Sequence, residues 1–493
     1  MSLQFITGGS GAGKSEYLSR LVCEESVRRP HDNFIVVVPE QYTMETQKKL
    51  VHMHSRKGIL NIDVVSFERL AYKVFEELGG GNRPVLDDTG KNLIVRRVLE
   101  KEKKKLDYFG SSIEKTGFVS ELKSVISELL QYGITPQQLG EIGENVKEKQ
   151  QLSAKLKDIR LVYKEFMAFL STNYITSEEI LDVLCGLVEK SKLIAGSEII
   201  FDGFTGFTPI QYKLMRLLLV YSKGIKISVT IDKKERPTGH EGWNNLFFMS
   251  KEMMNRLIAI CEEEGINVDD TVCVDRDINY RYEGAKDLAY LERNLFRYKG
   301  GVYTGTPENI RIYEGSNPKE ELQYIVSEIL QLTRKEGFRY RDIAVVTADL
   351  ETYGKVAANM MKQNDIPAFL DYKRSVASNP YVEMLCSALE IVEKGYPYDT
   401  MFRYLRTGLT GISRHDIDIL ENYCLAVGIR GSRAWHEPWK KKMKRSTYQP
   451  ELETLNALRE QIMAPFLNLE AVLKDKEANV RAYVTAVYEF VTA

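Results

Sequence analysis

The sequence predicts an α/β protein in which a parallel β-sheet is combined with large blocks of helices. A glycine-rich loop, Gly8 to Ser15, lies between a short apolar run and a segment with apolar residues at helical spacing. Continuous β-branched runs such as Phe34 to Pro39 are typical of strands buried on both faces of a parallel sheet. Because helical segments separate these runs, the order of elements indicates a parallel sheet.

Length and composition narrow the class of protein further. The chain has 493 residues, and domains of about 150 residues would give roughly three of them. Lys and Arg number 68 against 69 Asp and Glu, so the net charge of -1 gives no global electrostatic case for nucleic-acid or membrane binding. No apolar run approaches the ~20 residues that span a bilayer. The start of the chain lacks the pattern of a signal peptide, and the six cysteines form no C-x-x-C pair. We therefore expect a cytoplasmic protein without membrane contact.

The elements divide into a discontinuous first domain and a helical insertion. The first α/β domain is predicted over residues 1–80 and 195–305, where the β-branched runs occur. Residues 81–194 carry long heptad-like patterns instead, which predict an all-helical insertion. The strands of the first domain are expected at 3–7, 34–39, 62–66, 198–202 and 225–231.

A second α/β domain is predicted to start at residue 306 and to run to 375. Ile310–Tyr313, a helical segment and Ile343–Val346 form the pattern of a strand–helix–strand unit. Residues 376–493 are helical in pattern, and the amphipathic pattern is still present at Ala493. We therefore expect a second helical insertion that is incomplete, in a C-terminally truncated chain.

The glycine-rich loop has the spacing of a phosphate-binding loop, Gly-x-x-x-x-Gly-Lys-Ser. Its backbone N–H groups would turn toward phosphate oxygens, and the following helix would add its positive N-terminal end. Lys14 would reach the β- and γ-phosphates and Ser15 would bind Mg²⁺. The alternative is a glycine-rich turn with an ordinary lysine. Such a turn would not explain why a strand precedes the loop and a helix follows it. The candidate nucleotide-binding residues are Gly8, Gly9, Ser10, Gly11, Ala12, Gly13, Lys14 and Ser15.

Nucleotide hydrolysis needs a second element, an apolar strand that ends in two acids. The first acid positions Mg²⁺ and the second orients the attacking water. Glu198 to Gly203 supplies the strand and only one acid. Asp202 would hold the metal with Ser15, but Gly203 occupies the position of the second acid and has no side chain to polarise water. The sequence therefore predicts nucleotide binding with crippled hydrolysis, unless Asp202-Gly203 is simply a turn after a strand.

Several of these segments resemble the motifs of UvrD-like superfamily 1 helicases. Asp202 to Gln211 resembles their Asp-Glu-x-Gln-Asp-x-x-x-x-Gln stretch without its glutamate and central glutamine. Val65 to Ala71 is similar to their DNA-contacting Thr-Phe-His-Ser segment, and Pro39 to Tyr42 occupies the place of motif Ia. The resemblance implies two RecA-like P-loop domains, with the helical blocks as 1B and 2B insertions. It also implies DNA contacts for Gln41, Phe67 and Arg69.

A helicase-like chain that has the phosphate-loop pattern but lacks the second acid resembles one family in particular. That family is AddB, the second subunit of bacterial AddAB helicase-nucleases. The resemblance covers the N-terminal part of that family. It implies an AddA-like partner subunit, and ATP and Mg²⁺ as ligands. It also implies a helicase-like half that scans single-stranded DNA for the recombination hotspot Chi. The complex of the two subunits would act at duplex ends. The family also carries a C-terminal nuclease domain with a 4Fe-4S cluster, and we expect neither within this chain.

One further segment is a candidate for nucleic-acid contact on composition alone. Residues 435–445 hold five cations in six positions beside two of the three tryptophans. Cations bind phosphates and indoles stack on bases, so Trp439, Lys440 and Lys441 are candidate DNA contacts. A solvated basic loop is the alternative.

Three functions remain open from the sequence. The first is a DNA-binding, helicase-like subunit that binds ATP and hydrolyses it poorly. The second is an active superfamily 1 motor, which would need a carboxylate from elsewhere to replace the missing glutamate. The third is a P-loop small-molecule kinase, which would need neither a second α/β domain nor large helical insertions.

Overall fold

The computed structural model consists of two compact units, Met1–Ile312 and Tyr313–Ala493. The structure describes residues 1–79, 84–113, 115, 117–146, 149–176, 179–235, 242–297, 301–370, 376, 378–443 and 450–492.

The first unit is built on one parallel β-sheet. Its strands follow the order β3-β2-β6-β7-β1-β8, with β9 pairing to β1, and every pairing is parallel. Two further strands, β4 and β5, pair with each other away from this sheet. The strands are β1 Ser2–Gly8, β2 Asn33–Val37, β3 Ile62–Val65, β4 Val85–Leu86, β5 Ile175–Thr176, β6 Ser197–Phe201, β7 Gly224–Thr230, β8 Asn267–Val268 and β9 Val272–Cys273.

Helices cover both faces of this sheet. The helices of the first unit are α1 Lys14–Arg28, α2 Thr43–Met53, α3 Phe67–Leu78, α4 Asp88–Glu102, α5 Phe118–Gln131, α6 Pro136–Asn145, α7 Gln150–Asn173, α8 Ile180–Cys185, α9 Lys192–Ala195, α10 Pro209–Tyr221, α11 Phe248–Glu264 and α12 Lys286–Asn294.

Successive residues of a strand point to opposite faces, and the core of the first unit follows that alternation. Phe34 and Val36 of β2 pack with residues of α1 and α2 in one cluster. Ile35 and Val37 of the same strand pack with α3, α8, α10 and α11 in another. A strand whose two faces are both covered must be apolar at every position, which explains the continuous β-branched run that predicts β2. The five strands expected in the first domain are all present.

The segment between α3 and α8 forms a smaller body with its own core. Helices α4, α5 and α7 contribute most of the buried residues, among them Val95, Ile126 and Phe166. The sequence predicts helices alone in this segment, and the pairing of β4 with β5 is an addition to that prediction. Each of these strands has two residues, which is too short to leave a period-2 pattern in the sequence.

Helices are the only regular secondary structure in the described residues of the second unit. Its helices are α13 Pro318–Lys335, α14 Leu350–Gln363, α15 Pro380–Lys394, α16 Tyr398–Leu405, α17 Arg414–Val427, α18 Ser432–His436, α19 Leu452–Lys474 and α20 Val480–Thr492. A small core joins α13 to α14 through residues such as Val326 and Met360. A larger core joins α15 to α20 and contains Trp435, Trp439 and Phe466.

The strands predicted at Ile310–Tyr313 and Ile343–Val346 are not formed. Both segments are irregular, and Ile312 and Val346 are more than nine-tenths exposed. A β-branched run expresses a preference for extended backbone, but a strand also needs a hydrogen-bonded neighbour, and these two segments do not pair. The helix predicted between them is present as α13, so only the sheet of the second α/β domain is missing from the described residues.

The six cysteines are all free thiols, four of them buried, with Cys273 and Cys386 exposed. Over the described ranges, no three or more side chains of Cys, His, Asp and Glu are grouped so that they could hold a metal ion among themselves. In the same part of the chain, no helix combines the length and the apolar character needed for a bilayer crossing.

Candidate nucleotide and nucleic-acid site

The candidate site lies where β1, β7 and β6 end side by side. In parallel strands the carboxyl ends meet at one edge of the sheet, which is where ligands bind in open α/β folds. The phosphate loop follows β1 and Asp202 follows β6, while β7 lies between these two strands. Residues from all three strand ends line one cavity of about 390 Å³, which includes Lys14, Ser15, Asp202 and Ser228.

The phosphate loop has a conformation that depends on glycine. Gly11 and Gly13 have φ angles of +71° and +95°, a region that residues with a side chain rarely adopt. A Cβ atom at Gly11 would lie 2.5 Å from Cβ of Arg281. Gly13 is the N-cap of α1 and no side chain caps this helix. The N–H groups of its first turn therefore face the cavity without an intrahelical acceptor, as an anion-binding helix end requires.

Lys14 folds back over the loop it belongs to. Its Nζ donates hydrogen bonds of 2.9 Å to the carbonyl oxygens of both Gly8 and Gly9. Burial lowers the pKa of Lys14 from its ordinary value, and the nearby carboxylates of Asp202 and Asp275 oppose that shift. A cation held at the mouth of a loop of inward-facing N–H groups is placed to bind phosphate.

Asp202 is fixed by a neighbouring strand. Ser228 of β7 donates a hydrogen bond of 2.5 Å from its Oγ to Oδ1 of Asp202, and it accepts one of 3.3 Å from the N–H of Gly203. Asp202 and Ser15 line the same cavity, as the sequence predicts. One carboxylate and one hydroxyl form a set of oxygen donors that suits Mg²⁺, which keeps several waters and needs few protein ligands. The residues present therefore fit a nucleotide-bound Mg²⁺.

The position after Asp202 differs from a hydrolytic site in both chemistry and backbone. Gly203 is exposed and has a φ angle of +84°, in the left-handed region. The other carboxylate that lines the cavity is Glu16. It is paired with Lys49 at 3.0 Å and with Arg20 at 3.4 Å, and its pKa is lowered, mainly by the hydrogen bond from Lys49. The two ion pairs therefore engage the carboxylate of Glu16 with cations of α1 and α2.

A segment far along the chain also covers the phosphate loop. The N–H of Arg281 donates to the carbonyl oxygen of Gly11 at 3.3 Å, and Arg281 lines the cavity. The ring of Tyr280 would lie 3.4 Å from a Cβ atom at Gly13. Arg281 therefore brings a second cation to the phosphate side of the site.

The same segment holds Ser10 from several directions. Asn279 donates from Nδ2 to the carbonyl oxygen of Ser10 at 3.2 Å, and the N–H of Ser10 donates to Oε1 of Glu292 at 3.3 Å. Burial raises the pKa of Glu292, with further contributions from Asp275 and Asp232. The sequence does not reveal these residues as part of the site, because they are about 270 positions from the loop and no motif of the phosphate-loop pattern includes them. The one local signal is an arginine flanked by two tyrosines, Tyr280 to Tyr282.

Two of the three predicted DNA contacts of the first unit are accessible. Gln41 and Arg69 are exposed at the carboxyl ends of β2 and β3, and Arg69 forms an ion pair with Glu40 at 3.0 Å. Phe67, the third predicted DNA contact, is only 7% exposed, so little of its side chain is accessible at the surface.

Phe67 instead belongs to an aromatic cluster beneath this edge of the sheet. Its ring centroid lies 5.7 Å from that of Phe201, 5.4 Å from that of Phe204 and 6.0 Å from that of Phe207. An amphipathic helix buries the aromatic residue of its first turn in the core, which explains why the motif alone does not reveal its accessibility. Phe204 and Phe207 are partly exposed, in contrast to the buried rings of Phe67 and Phe201.

The basic segment of the second unit is divided between core and surface. Trp439 is 5% exposed and packs beside Trp435 and Tyr423 at centroid distances of 5.4 and 5.2 Å, so little of its indole is accessible for stacking on a base. The indole is the largest apolar group nearby, and its burial outweighs the polarity of the lysines that follow. Lys440 and Lys441 are exposed. The last two cations of the run, at positions 444 and 445, lie outside the described residues.

Comparison with known proteins identifies the family. A family model described as "ADDB, N-terminal" matches residues 5–292, more than half of the chain. Proteins named as the B component of an ATP-dependent helicase/deoxyribonuclease are 41% identical in Lachnoclostridium phytofermentans, 35% in Clostridioides difficile and 33% in Clostridium novyi, each over 99% of this chain. The chain spans 42% to 43% of the length of these relatives. The chain therefore belongs to the AddB family, of which it matches the N-terminal region.

Proposed function

We propose that this chain is the N-terminal, helicase-like part of the AddB component of an AddAB-type ATP-dependent helicase/exonuclease. It binds ATP with Mg²⁺ and single-stranded DNA, and it does not act as a motor. It works with an AddA-like partner subunit in the cytoplasm, at duplex ends, in double-strand break repair and homologous recombination. The nuclease site and the 4Fe-4S cluster of the family are assigned to the region beyond this match.

The observation that carries this proposal is the difference between the ends of β1 and β6, which lie on either side of β7. The end of β1 has a glycine-dependent loop, Lys14 and the open N-terminus of α1. The end of β6 has Asp202, but Gly203 at φ +84° follows it. Phosphate binding needs the first set, whereas activation of water needs a second carboxylate after Asp202. This difference supports binding without turnover.

In the proposed complex each cation and acid has a defined task. Lys14 and Arg281 bind phosphate oxygens, and the N–H groups at the start of α1 bind others. Ser15 and Asp202 hold Mg²⁺, and Ser228 fixes the carboxylate of Asp202. When bound, Mg²⁺ neutralises part of the phosphate charge.

The carboxyl edge of the same sheet is the proposed path of the single strand. Arg69 would contact phosphates and Gln41 would contact base edges or backbone, while Phe204 and Phe207 offer apolar rings next to them. All four residues follow strand ends of one sheet, so a strand laid along this edge meets them in turn. Scanning for Chi is part of this proposal, since base-edge contacts by Gln41 would distinguish sequences.

The two other candidate functions have less support. An active motor would need a carboxylate from elsewhere to activate water, and for Glu16, which lines the cavity, the ion pairs with Lys49 and Arg20 argue against that role. A small-molecule kinase is argued against by membership in the AddB family.

Nucleotide binding is tested by titrating a fluorescent ATP analogue into the 493-residue chain with and without Mg²⁺. Lys14→Ala removes the cation of the loop, and Lys48→Ala removes an exposed lysine of α2 that does not line the cavity. We expect Mg²⁺-dependent binding by the wild type and by Lys48→Ala, and a loss of affinity of roughly 10- to 100-fold in Lys14→Ala, since a charged hydrogen bond contributes about 1.5–3 kcal/mol. Equal affinities in all three proteins contradict the proposal.

Single-strand binding is tested separately by fluorescence anisotropy of a labelled oligonucleotide. Arg69→Ala is expected to weaken binding several-fold, because one phosphate contact is lost. The matched control is Arg28→Ala, which removes an exposed arginine at the last residue of α1, the end opposite the phosphate loop. Equal weakening by both variants would indicate non-specific charge attraction and would contradict the proposed path.

A further inference from the structure

The segment that carries Lys440 and Lys441 is held rigidly by side chains of the second unit. Asn456 of α19 accepts from the N–H of Trp439 at 2.8 Å and donates to its carbonyl oxygen at 3.0 Å. The indole Nε1 of Trp439 donates to the carbonyl oxygen of Ala434 at 2.8 Å. Tyr423 of α17 donates from its hydroxyl to the carbonyl oxygen of Lys441 at 2.7 Å. The backbone is therefore fixed on both sides of Lys440 while the lysine side chains remain outside.

The lysines of this segment keep their charge unopposed. Lys440, Lys441 and Lys442 are all exposed, and none forms an ion pair with any residue that the structure describes. Glu437, three residues before Lys440 in the sequence, already has a partner, because it pairs with Arg433 at 2.8 Å.

A second run of consecutive lysines provides a contrast. Lys103, Lys104 and Lys105 are equally exposed, but Lys105 pairs with Glu102 at 2.6 Å and Lys101 pairs with Glu165 at 2.9 Å. That run is interspersed with acids and is neutralised within its own surface. Three adjacent cations on a fixed backbone, without acids between them, form a positive site that the protein itself does not neutralise.

We propose that Lys440 to Lys442 bind the phosphate backbone of duplex DNA without regard to sequence. The tryptophans that would stack on unpaired bases, Trp435 and Trp439, are buried as anchors of the segment. The surface therefore offers cations and no exposed indole, and it has no means of preferring single strands. Duplex DNA has one charge per about 1.7 Å of axis and hides its bases, so its charge density fits this surface better.

This inference rests on the proposed function in that it takes DNA as the ligand, but it concerns a different unit of the chain. Contacts to phosphates alone position a protein on DNA and carry no sequence information. The segment would thus hold duplex DNA while any reading of sequence takes place on the first unit.

The experiment measures the affinity of the 493-residue chain for a labelled random-sequence duplex over a series of salt concentrations. The test variant is Lys440→Gln with Lys441→Gln, and the matched control is Lys103→Gln with Lys104→Gln, which leaves Lys105 paired with Glu102. Because each lysine–phosphate contact contributes about 0.9 to the slope of log affinity against log salt, the test variant should lower that slope by about two. Its affinity at low salt should fall on the order of tenfold. The control should bind as the wild type does.

An unchanged slope in the test variant, an equal loss in the control, or no binding of duplex by the wild type at low salt overturns the inference. Binding of the segment to anionic lipid vesicles in place of duplex also overturns it. The test variant should still bind the ATP analogue and should keep its sensitivity to Arg69→Ala on single strands. If the wild type does not bind the ATP analogue and its single-strand binding does not depend on Arg69, the proposed function is contradicted. The salt series with duplex DNA alone tests whether the lysine segment binds duplex.

Discussion

The ends of β1 and β6 flank the same neighbouring strand and face the same cavity, yet they differ in what they can do. The end of β1 carries a glycine-dependent loop, a lysine and a free helix N-terminus. The end of β6 carries one acid, followed by Gly203 in a left-handed conformation. Binding and hydrolysis of a nucleotide depend on different strand ends in this fold. One activity can therefore be lost without disturbing the other.

The largest expected effect comes from damaging the end of β1. Gly11→Ala would force a side chain into a left-handed position and place Cβ 2.5 Å from Cβ of Arg281. Left-handed backbone alone costs about 1–2 kcal/mol for a residue with a side chain. We expect Gly11→Ala to lower the free energy of unfolding by about 2 kcal/mol and to abolish measurable ATP binding. Chemical denaturation and analogue titration check the two effects, and a variant that still binds ATP normally would show that the loop geometry is not needed.

Arg281→Ala tests the segment that approaches the loop from far along the chain. Its side chain lines the cavity, and its N–H contacts Gly11, which the substitution retains. The loss of one cation near the phosphates should reduce ATP affinity roughly tenfold, with little change in the midpoint of unfolding. Lys286→Ala, at an exposed lysine at the start of α12 that does not line the cavity, is the control. Equal affinity in Arg281→Ala and the wild type would remove Arg281 from the site.

Ser228→Ala separates metal positioning from phosphate binding. The substitution removes the donor to Asp202 and the acceptor of the Gly203 N–H. A single hydrogen bond contributes about 0.5–1.5 kcal/mol, so the Mg²⁺ concentration for half-maximal ATP binding should rise about three- to tenfold. Affinity for ATP without Mg²⁺ should stay unchanged. An unchanged Mg²⁺ concentration for half-maximal ATP binding would show that Ser228 does not hold Asp202 for metal binding.

The smallest expected change in activity is that of Gly203→Glu, which supplies the missing carboxylate. A Cβ atom at this position meets only Pro39 at 3.5 Å, so space is not the obstacle. The φ angle of +84° is the obstacle, because the backbone would aim the new side chain differently from that of an ordinary residue. We expect a loss of about 1 kcal/mol in stability and no gain in ATP turnover. A strong gain in turnover would mean that the side chain alone was missing.

Local patterns predict the strands of the first unit and most helices of the second unit, but they also predict two strands near residues 310 and 343 that are not formed. The phosphate loop, Asp202 and the strands β1, β2, β3, β6 and β7 are visible in the sequence because each depends on residues close together along the chain. Arg281 is not visible, since its approach to Gly11 depends on the path of about 270 intervening residues. The lysines that follow Trp439 indicate an exposed segment, yet burial of an indole depends on the packing of distant helices.

The two strands predicted for the second α/β domain are missing for a similar reason. Ile310–Tyr313 and Ile343–Val346 have the composition of strands, but hydrogen-bonded neighbours are a property of the fold and cannot be inferred from one segment. Helix α13 between them is predictable because its hydrogen bonds are internal.

The most direct test of binding without turnover is the rate of ATP hydrolysis by the 493-residue chain in the presence of saturating single-stranded DNA, compared with that of Lys14→Ala. We predict that both proteins stay at the same background rate, even where the wild type is saturated with ATP and Mg²⁺. DNA-stimulated turnover by the wild type that disappears in Lys14→Ala would show that this site activates water, and it would contradict the assignment of an inactive motor.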